Sequence, residues 1–547
     1  MTGRGILNHL LLAAAMAGTA CTPAGREADR AAAPVASTGT QAPRLIVLVI
    51  IDMFRADYLT RFADRFGAGG FRRLLADGAR CDRCVYPYAV TETAPGNATL
   101  ATGTTPDRHG IVGNAWYGAL PGSYGAAVDD PRHPHVGGAS DLSGASPRHL
   151  LAATLGDQLS RLSGGRSKVF GVAGKDRAAI LSSGHSAAGA YWLDRYNGRF
   201  MSSTYYGEHL PRWVESFNDR LPIDRYAGRT WEMPGGEPMT LPATVDAQGA
   251  FFFRFAQTPY LDRQIAEFAR ELIVHEELGA DGDVDFLAIG LSGHDWLGHE
   301  VGPYHPAIAA LAEQTDALLA DLLRFLDDRI GAGGYWLAVT SDHGVVPTVE
   351  QARERGLPGR VLDQEALRQA LLAALAERFG ADQWLAPVGH WTRLRINRAT
   401  VERHGAALAD VTRVAGEAAL AVDGVLGYWA EGVTNLDAAL SAAVRLSTFA
   451  GRSPDLLLIT RPYILLTSGD RAGHGTPHPY DTQVPLLLFG PPFRPGSTVP
   501  DCSPVDLAPT LARGLGIAPP AGASGRPLLA LLADPDGDAT PPTMEDQ

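Results

Sequence analysis

Short apolar segments that each lead into polar residues constrain the fold of this chain more than any other feature of its sequence. They show no alternation between apolar and polar residues. Continuous apolar segments of this length are typical of strands buried on both faces of a parallel sheet. Ligands of such sheets bind beyond the carboxyl ends of the strands, so we expect the polar residues that follow to gather there. The segments are residues 45–51, 169–173, 285–290, 335–340 and 484–489.

Helical patterns separate these segments. Apolar residues recur at three- and four-residue steps, or their multiples, from Ile308 to Phe325, which predicts an amphipathic helix. Ser146-Pro147 before an apolar stretch predicts a second helix start, because proline favours the first helical turn. Alternating strands and helices predict an α/β fold, with a mostly parallel sheet and helices on both of its faces.

Two long intervals interrupt the alternation, near residues 195–260 and near residues 348–470. Long excursions from a compact core are usually functional, so we interpret both as inserted cap segments that cover the site. The catalytic domain is then expected over residues 44–530, followed by a tail over residues 531–547.

The first residues have the pattern of an export signal. Leu10 to Ala17 form an apolar core that is too short to span a bilayer, and small residues lead to Cys21. We predict a signal peptide over residues 1–21 and a flexible linker over residues 22–43. A periplasmic or secreted protein follows, and both simple cleavage and a lipid anchor at Cys21 remain open. No other segment is long and apolar enough to be transmembrane.

The net charge argues against nucleic acid as a partner. The chain carries a formal charge of -13 and has a sequence pI of about 5.7. It therefore lacks the diffuse basic surface of a nucleic-acid-binding protein. If the substrate is an anion, positive charge must be concentrated in one site.

The cysteines are few. Cys81 and Cys84 form a C-x-x-C motif, which in a cytosolic chain would indicate redox chemistry. In an exported chain we expect a local disulfide between them instead. A zinc ribbon would need a second pair, and Cys502 stands alone.

Six acid and imidazole side chains have the chemistry of a zinc pair, because zinc accepts carboxylate oxygen and imidazole nitrogen. Two of them are four residues apart, so one turn of helix would direct both to one ion. Each piece alone is more often a helix cap, a solvated helix pair or a loop. Their common position at predicted strand ends favours the metal interpretation. The residues are Asp52, Asp295, His299, Asp342, His343 and His474.

Thr93 is the candidate nucleophile. A threonine hydroxyl needs an adjacent base or a metal ion to react at neutral pH. Pro95-Gly96 would begin a helix there, and the amides at a helix N-terminus favour a phosphate nearby. Taken alone, Thr93 would more often be a helix cap.

Lys175 and Arg177 follow the predicted strand over residues 169–173. Two residues apart in extended backbone, they would face the same side. Arginine grips phosphoryl oxygens with two donors, and lysine supplies a point charge. Asn114 could donate its amide to the same oxygens. In isolation the first two would be a solvated basic turn, and Asn114 a turn residue.

As an ordered set, these residues resemble the alkaline phosphatase superfamily. Within it, they are similar to the PafA-like and PhoK-like bacterial monoesterases of the type I phosphodiesterase/nucleotide pyrophosphatase branch. The resemblance covers about residues 44 to 530 and implies an alkaline-phosphatase-like core. The matching motifs are Val49-Ile-Ile-Asp52, Thr93-Ala-Pro-Gly-Asn97, Gly110-Ile-Val-Gly-Asn114, Gly174-Lys-Asp-Arg177, Asp295-Trp-Leu-Gly-His299, Ser341-Asp-His-Gly344 and His474-Gly-Thr-Pro477.

The resemblance also implies roles for the site residues. One zinc ion would be held by Asp295, His299 and His474. The other would be held by Asp52, Asp342 and His343, with Thr93 as its reactive ligand. The non-bridging phosphoryl oxygens would be bound by Asn114, Lys175 and Arg177.

The implied substrates are small phosphate monoesters, cleaved through a phosphothreonine. Diesterases of this branch lack the Lys175/Arg177 pair, because a second ester group occupies one oxygen. The sequence departs from their nucleophile motif at Gly96, where they have Asn followed by His. A phosphodiesterase or nucleotide pyrophosphatase on the same metals remains the alternative. A sulfatase, or a lipoprotein that binds metal or phosphate without turnover, is less favoured. Mn or Co could partly replace zinc, and additional Ca²⁺ cannot be derived from any loop.

Overall fold

The computed structural model describes residues 42–138, 144–246, 248–387, 389–466 and 469–533. The predicted signal peptide with Cys21, nearly all of the predicted linker and most of the predicted tail lie outside these residues. Among the described residues, no helix combines the length and apolar character that a membrane span requires.

The strands include all five that the apolar segments predict. In chain order they are β1 (Leu45–Ile51), β2 (Ala79–Val85), β3 (Ala115–Leu120), β4 (Ser123–Ala126), β5 (His135–Val136), β6 (Val169–Ala173), β7 (Gly189–Leu193), β8 (Phe200–Ser203), β9 (Thr230–Trp231), β10 (Met239–Thr240), β11 (Asp285–Leu291), β12 (Tyr335–Thr340), β13 (Arg360–Val361), β14 (Arg393–Leu394), β15 (Val425–Ala430), β16 (Val433–Thr434), β17 (Leu456–Thr460), β18 (Ile464–Leu465), β19 (Gln483–Phe489) and β20 (Thr498–Cys502).

The helices alternate with these strands. They are α1 (Tyr58–Arg61), α2 (Phe71–Asp77), α3 (Thr93–Thr102), α4 (Pro106–His109), α5 (Leu155–Ser163), α6 (Asp176–Ser183), α7 (Arg212–Arg220), α8 (Ala250–Ala256), α9 (Tyr260–His275), α10 (Gly293–Val301), α11 (Pro306–Arg329), α12 (Val349–Glu354), α13 (Gln364–Phe379), α14 (Arg398–Arg403), α15 (Leu408–Ala419), α16 (Ala438–Leu446), α17 (Pro479–Thr482) and α18 (Leu507–Gly514). Short 3-10 helices cover Ala63–Arg65, Ile223–Tyr226, Pro504–Asp506 and Leu529–Leu531.

Ten strands of the described chain form one sheet in the order β20-β2-β19-β12-β1-β11-β6-β7-β8-β5. The neighbours β12, β1, β11, β6 and β7 are parallel to one another. Beyond them, β19 runs antiparallel to β12, and β8 runs antiparallel to β7. The expected mostly parallel sheet is therefore confirmed, although β19, which its apolar sequence placed among the parallel strands, runs the other way.

Helices cover both faces of the sheet, as β1 illustrates. Leu45, Val47 and the alternate residues after them pack with α9 and α11. Ile46, Leu48 and Ile50 pack on the opposite face with α5 and α18. Each fully buried aliphatic side chain contributes about 1.5–3 kcal/mol to stability. Burial on both faces therefore explains why this strand has no polar alternation.

The two helices predicted from sequence have different outcomes. The periodicity from Ile308 to Phe325 lies within α11, which confirms that helix. The helix expected at Pro147 is wrong, because α5 begins only at Leu155. Its start is fixed by a capping box in which Thr154 and Asp157 exchange side-chain and backbone hydrogen bonds.

The expected local disulfide is also wrong. The structure joins Cys81 to Cys502, 421 residues away, with a Cα–Cα distance of 6.2 Å, and leaves Cys84 as a buried thiol. Cys81 and Cys84 both lie on β2. Three residues of extended chain span about 10 Å, whereas a disulfide needs Cα atoms within about 7 Å. The neighbouring strand β20 brings Cys502 within that range.

Most elements between β12 and β19 form a separate layer with its own core. Strands β14, β17, β15 and β16 make a four-stranded sheet on which α15 packs, and α13 packs against α15. Their shared core includes the buried Trp384. In the earlier interval near residues 195–260, β8 belongs to the main sheet, and short elements such as α7, α8 and the β9–β10 pair follow it.

Candidate active site

Four neighbouring parallel strands end at the site. Asp52 follows β1, Asp342 lies two residues beyond β12, and Lys175 lies two residues beyond β6. Asp295 lies on α10, which begins directly after β11. Because the carboxyl ends of parallel strands meet at one edge of the sheet, residues far apart in sequence come together there.

The first group of possible metal ligands is built around Asp295. Asp295 and His299 lie one turn apart on α10, and Oδ1 of Asp295 is 3.3 Å from Nε2 of His299. His474, which lies between β18 and α17, brings its Nε2 within 3.7 Å of the same Oδ1. These three side chains can hold one metal ion.

The second group is built around His343. Its Nε2 lies 3.4 Å from Oδ1 of Asp52, 3.9 Å from Oδ1 of Asp342 and 3.5 Å from the Thr93 hydroxyl. Asp52, His343 and Asp295 also offer ligand atoms within 4.8 Å of one another. The two groups therefore meet at Asp295, which lies between them.

All three histidines are oriented in the same way. Nδ1 of His299, of His343 and of His474 each lies within hydrogen-bond distance of a backbone carbonyl, at 2.9 Å, 3.0 Å and 2.9 Å respectively. A carbonyl only accepts, so in the neutral ring Nδ1 carries the proton and Nε2 keeps a lone pair. Metal-binding histidines are commonly fixed by this outer contact.

The arrangement of these donor atoms fits a cation. Oδ1 of Asp52 and Oδ1 of Asp295 are buried and accept no hydrogen bond from the described residues. The pKa of Asp342 is raised to about 6 and that of Asp52 well above its ordinary value. In both, burial is the largest cause and the charge of Asp295 adds to it, while Lys175 acts in the opposite direction. Clustered carboxylates facing imidazole lone pairs are unfavourable until positive charge is supplied. Oxygen and imidazole nitrogen are donors that zinc accepts.

Lys175 supplies part of that positive charge. Its ammonium lies 2.5 Å from Oδ2 of Asp295, 2.6 Å from Oδ2 of Asp52 and 3.4 Å from the Thr93 hydroxyl. Burial lowers the pKa of Lys175, but the two carboxylates outweigh that effect and hold the pKa above its ordinary value. The lysine is therefore a buried cation beside the candidate nucleophile.

The expectation that Lys175 and Arg177 share an extended segment is wrong. Lys175 has extended backbone and precedes α6, whereas Arg177 lies in the first turn of that helix. The Arg177 side chain is half-buried, and its Nε is buried without a hydrogen-bond partner among the described residues.

Thr93 begins α3 and is buried. The helix packs closely against Asp342 at Gly96. A Cβ added at Gly96 would come within 2.6 Å of the Asp342 Cβ. A larger residue at position 96 would push the two apart. The glycine that departs from the diesterase motif thus has a packing reason in this chain.

Asn114 lies beside the start of α3. Its Oδ1 accepts a hydrogen bond of 2.9 Å from the backbone amide of Ala94. Because that amide can only donate, the oxygen of Asn114 is fixed on Ala94, and its NH₂ group remains available to bind a ligand. This orientation suits an amide that donates to phosphoryl oxygens.

Three residues near the site were not predicted from sequence. Asn97 donates 3.1 Å to Oδ2 of Asp342 and 2.9 Å to the Thr93 carbonyl. The Glu92 carboxylate accepts a hydrogen bond from the backbone amide of Asn114 and forms an ion pair with Arg393. Asn97 and Glu92 lie within or beside the Thr93 motif and could have been considered. Arg393 has no local signal, because it lies 301 residues from its partner.

Comparisons with known proteins find a family model and several relatives that resemble this chain. The family model described as type I phosphodiesterase/nucleotide pyrophosphatase matches residues 46–481. The chain is 33% identical to the alkaline phosphatase PhoV of Synechococcus elongatus, over 90% of this chain and 93% of that protein. It is 31% identical to a Myroides odoratus protein named calcium-transporting ATPase, over 91% of this chain and 96% of that protein.

The alkaline phosphatase PafA of Elizabethkingia meningoseptica is 30% identical, over 90% of this chain and 94% of that protein. A crystal structure of wild-type PafA superposes with a TM-score of 0.82 at 28% identity, covering 90% of this chain and 100% of that structure. At this similarity the fold is shared.

Proposed function

This chain belongs to the type I phosphodiesterase/nucleotide pyrophosphatase family, and from that premise we propose that it is an alkaline phosphatase that cleaves phosphate monoesters through a phosphothreonine at Thr93. One observation carries the proposal: a buried lysine ammonium lies 3.4 Å from the Thr93 hydroxyl, within a cluster of carboxylates and imidazoles. A phosphoric monoester hydrolase needs such a concentration of charge around its nucleophile.

The residues that would hold two zinc ions are at hand in this site. Asp295, His299 and His474 form the first set, and Asp52, Asp342 and His343, together with Thr93, form the second. When bound, such ions supply Lewis-acid stabilisation of the negative charge that develops on oxygen during displacement. The buried oxygens of Asp52 and Asp295 that accept no hydrogen bond from the described residues support this use of the site.

The protein's own residues position the reacting groups. Oγ1 of Thr93 attacks phosphorus and forms the new P–O bond as the bond to the alcohol breaks, and the hydroxyl proton of Thr93 ends on the departing alcohol. Water then cleaves the P–O bond of the phosphothreonine, which returns a proton to Oγ1 and releases phosphate. Thr93 is the first residue of α3, so the positive end of the helix dipole favours an anion beside it.

Three side chains would bind the non-bridging oxygens of the phosphoryl group. The NH₂ group of Asn114 is available because its oxygen is held by Ala94. Lys175 and Arg177 add two positive charges, which suit a monoester dianion better than a diester monoanion. The charge of Lys175 is held in place by Asp52 and Asp295.

We extend the proposal to the organisation of the whole chain. Residues 1–21 would direct export to the periplasm or the medium, with Cys21 as an alternative lipid anchor, and residues 22–43 would act as a linker. Residues 44–530 would form the catalytic domain, with insertions near 195–260 and 348–470. Mass spectrometry of the mature N-terminus tests this, because an unprocessed chain in the cytoplasm would contradict it.

The activity is tested by metal analysis coupled to substrate comparison. Purified full-length protein should contain about two zinc ions per chain. It should hydrolyse p-nitrophenyl phosphate faster than bis-p-nitrophenyl phosphate. A faster diester reaction would instead identify a phosphodiesterase on the same metals. ATP should be tested as a further substrate, because one relative is named a calcium-transporting ATPase.

A further inference from the structure

We propose that Glu92 and Arg393 are a positioning pair, through which the layer inserted between β12 and β19 sets the place of Asn114 in the active site. This inference rests on the proposed function, because it assigns to the pair the orientation of a phosphoryl-binding residue. Neither residue belongs to the metal-ligand set or contacts the nucleophilic hydroxyl in the described structure.

Glu92 connects the nucleophile helix to the Asn114 loop. It directly precedes Thr93 at the start of α3. Its Oε2 accepts a hydrogen bond of 2.7 Å from the backbone amide of Asn114. The Asn114 side chain is itself bound to Ala94, the second residue of α3. Asn114 is therefore hydrogen-bonded to the start of α3 through both its backbone and its side chain.

Arg393 fixes the other side of Glu92. It lies on β14 in the inserted layer, and its Nη2 donates to Oε1 of Glu92. The backbone amide of Arg393 donates 2.9 Å to the carbonyl of His390, which holds the turn that presents the side chain. The guanidinium is thus supported by the inserted layer and reaches the catalytic core.

The pair is buried beside the site. Glu92 is 9% exposed, and together with Arg393 and Asn114 it lines a cavity of about 200 Å³. Glu92 therefore depends on Arg393, since a buried carboxylate without a partner is strongly unfavourable.

Gly113 permits this close approach. A Cβ added at Gly113 would come within 2.7 Å of Nη1 of Arg393 and within 3.1 Å of Oε2 of Glu92. Any other residue in this position would push against the pair. The absence of a side chain at Gly113 therefore has a steric reason, which depends in part on Arg393 from the inserted layer.

The experiment makes Arg393→Gln and Glu92→Gln one at a time, first in the full-length, metal-loaded wild-type enzyme and then in the Asn114→Ala variant. We expect each of the first two substitutions to lower kcat/KM for p-nitrophenyl phosphate by about 10- to 100-fold, since small displacements of positioning groups have effects of that size. Affinity for inorganic phosphate, measured by calorimetry, should fall with it while metal content stays unchanged. In the Asn114→Ala background, the same substitutions should change kcat/KM by less than about threefold, because residues that act through one another are not additive.

Arg395→Gln is the matched control. Arg395 lies two residues away and lines the same cavity, but its guanidinium donates to the carbonyls of Ser453 and Gly451 within the inserted layer. It should leave kcat/KM and phosphate affinity near wild-type values. Glu92→Gln keeps the shape of the side chain, so it provides the answer if Arg393→Gln does not fold.

Two results would overturn the inference. One is wild-type kcat/KM and phosphate affinity in Glu92→Gln and in a folded Arg393→Gln. The other is an undiminished effect of these substitutions in the Asn114→Ala background. Both differ from failure of the proposed function, in which the wild-type chain itself would hydrolyse no monoester.

Discussion

Nζ of Lys175 lies 3.4 Å from Oγ1 of Thr93, although 82 residues separate the two in sequence. The lysine is buried and contacts carboxylates that are themselves part of the site. A hydroxyl held beside a fixed cation can receive an anionic phosphoryl group without reorganisation of solvent. This relationship is the basis of the first two predictions.

Replacing Thr93 tests the covalent step. We expect Thr93→Ala to lower kcat by at least about 10³-fold, because the attacking oxygen is lost while the other charges remain. Metal content should stay at about two ions per chain, since the carboxylate and imidazole ligands are untouched. Thr93→Ser is the control and should retain much of the activity. Full turnover by Thr93→Ala would exclude the phosphothreonine.

Replacing the two basic residues tests the substrate class. The double substitution Lys175→Ala with Arg177→Ala should reduce kcat/KM for p-nitrophenyl phosphate far more than for bis-p-nitrophenyl phosphate. The monoester has the additional charged oxygen that these side chains would bind. Steady-state kinetics on both substrates measure the ratio, and equal losses would contradict the monoesterase assignment.

Removing metal should destabilise the folded protein as well as inactivate it. The carboxylates of Asp52 and Asp295 are buried close to one another, and that of Asp342 is buried beside His343. A chelator should therefore lower Tm, and added zinc should restore it. Bound zinc should raise the free energy of unfolding by roughly 4 kcal/mol when the free zinc concentration is about a thousand times Kd. Differential scanning calorimetry with and without chelator measures the change, and equal Tm values would argue against a structural metal pair.

The long-range disulfide should contribute to stability. We expect Cys502→Ser to lower the free energy of unfolding by about 2–4 kcal/mol under oxidising conditions. Cys84→Ala is the control, because it should leave the bond between Cys81 and Cys502 intact. Mass spectrometry of unreduced peptides identifies the linkage. A peptide in which Cys81 is joined to Cys84 would contradict the structure.

A pH-dependent contribution is expected from His185 and Asp157. Nδ1 of His185 lies 3.1 Å from Oδ2 of Asp157, and Nε2 lies 2.9 Å from the Leu150 carbonyl. The hydrogen bond and charge of Asp157 raise the pKa of His185 above its ordinary value despite partial burial. Only the protonated ring can donate to both acceptors. The stabilisation is therefore fully present below about pH 6.5 and is lost as pH rises through the higher folded-state pKa.

The measurement is denaturant unfolding of wild-type and His185→Ala protein at several pH values. The difference in free energy of unfolding should be larger at pH 5.5 than at pH 9. A difference that does not change with pH would show that the ring acts only by packing.

Several elements could be predicted from local sequence because their cause is local. The apolar segment before Asp52 has no alternation, since β1 is buried on both faces. The spacing of Asp295 and His299 corresponds to one helical turn, and α10 contains both. The helix after Thr93 follows from Pro95 near its start.

Other elements could not be predicted because their cause lies far away in sequence. The partner of Cys81 depends on which strand lies next to β2, and the direction of β19 depends on its pairing with β12. The expected helix at Pro147 fails because the capping box of Thr154 and Asp157 provides a better start eight residues later.

The donor chemistry of the site follows from the residues alone: carboxylates and imidazoles after buried strands, one hydroxyl, and two basic residues for an anion. Packing set which of these atoms face one another, brought Lys175 against Asp52 and Asp295, and brought Arg393 to Glu92 from the inserted layer. Hydrogen-bonding capacity belongs to each residue type, whereas distances and burial arise from contacts between elements that lie far apart along the chain.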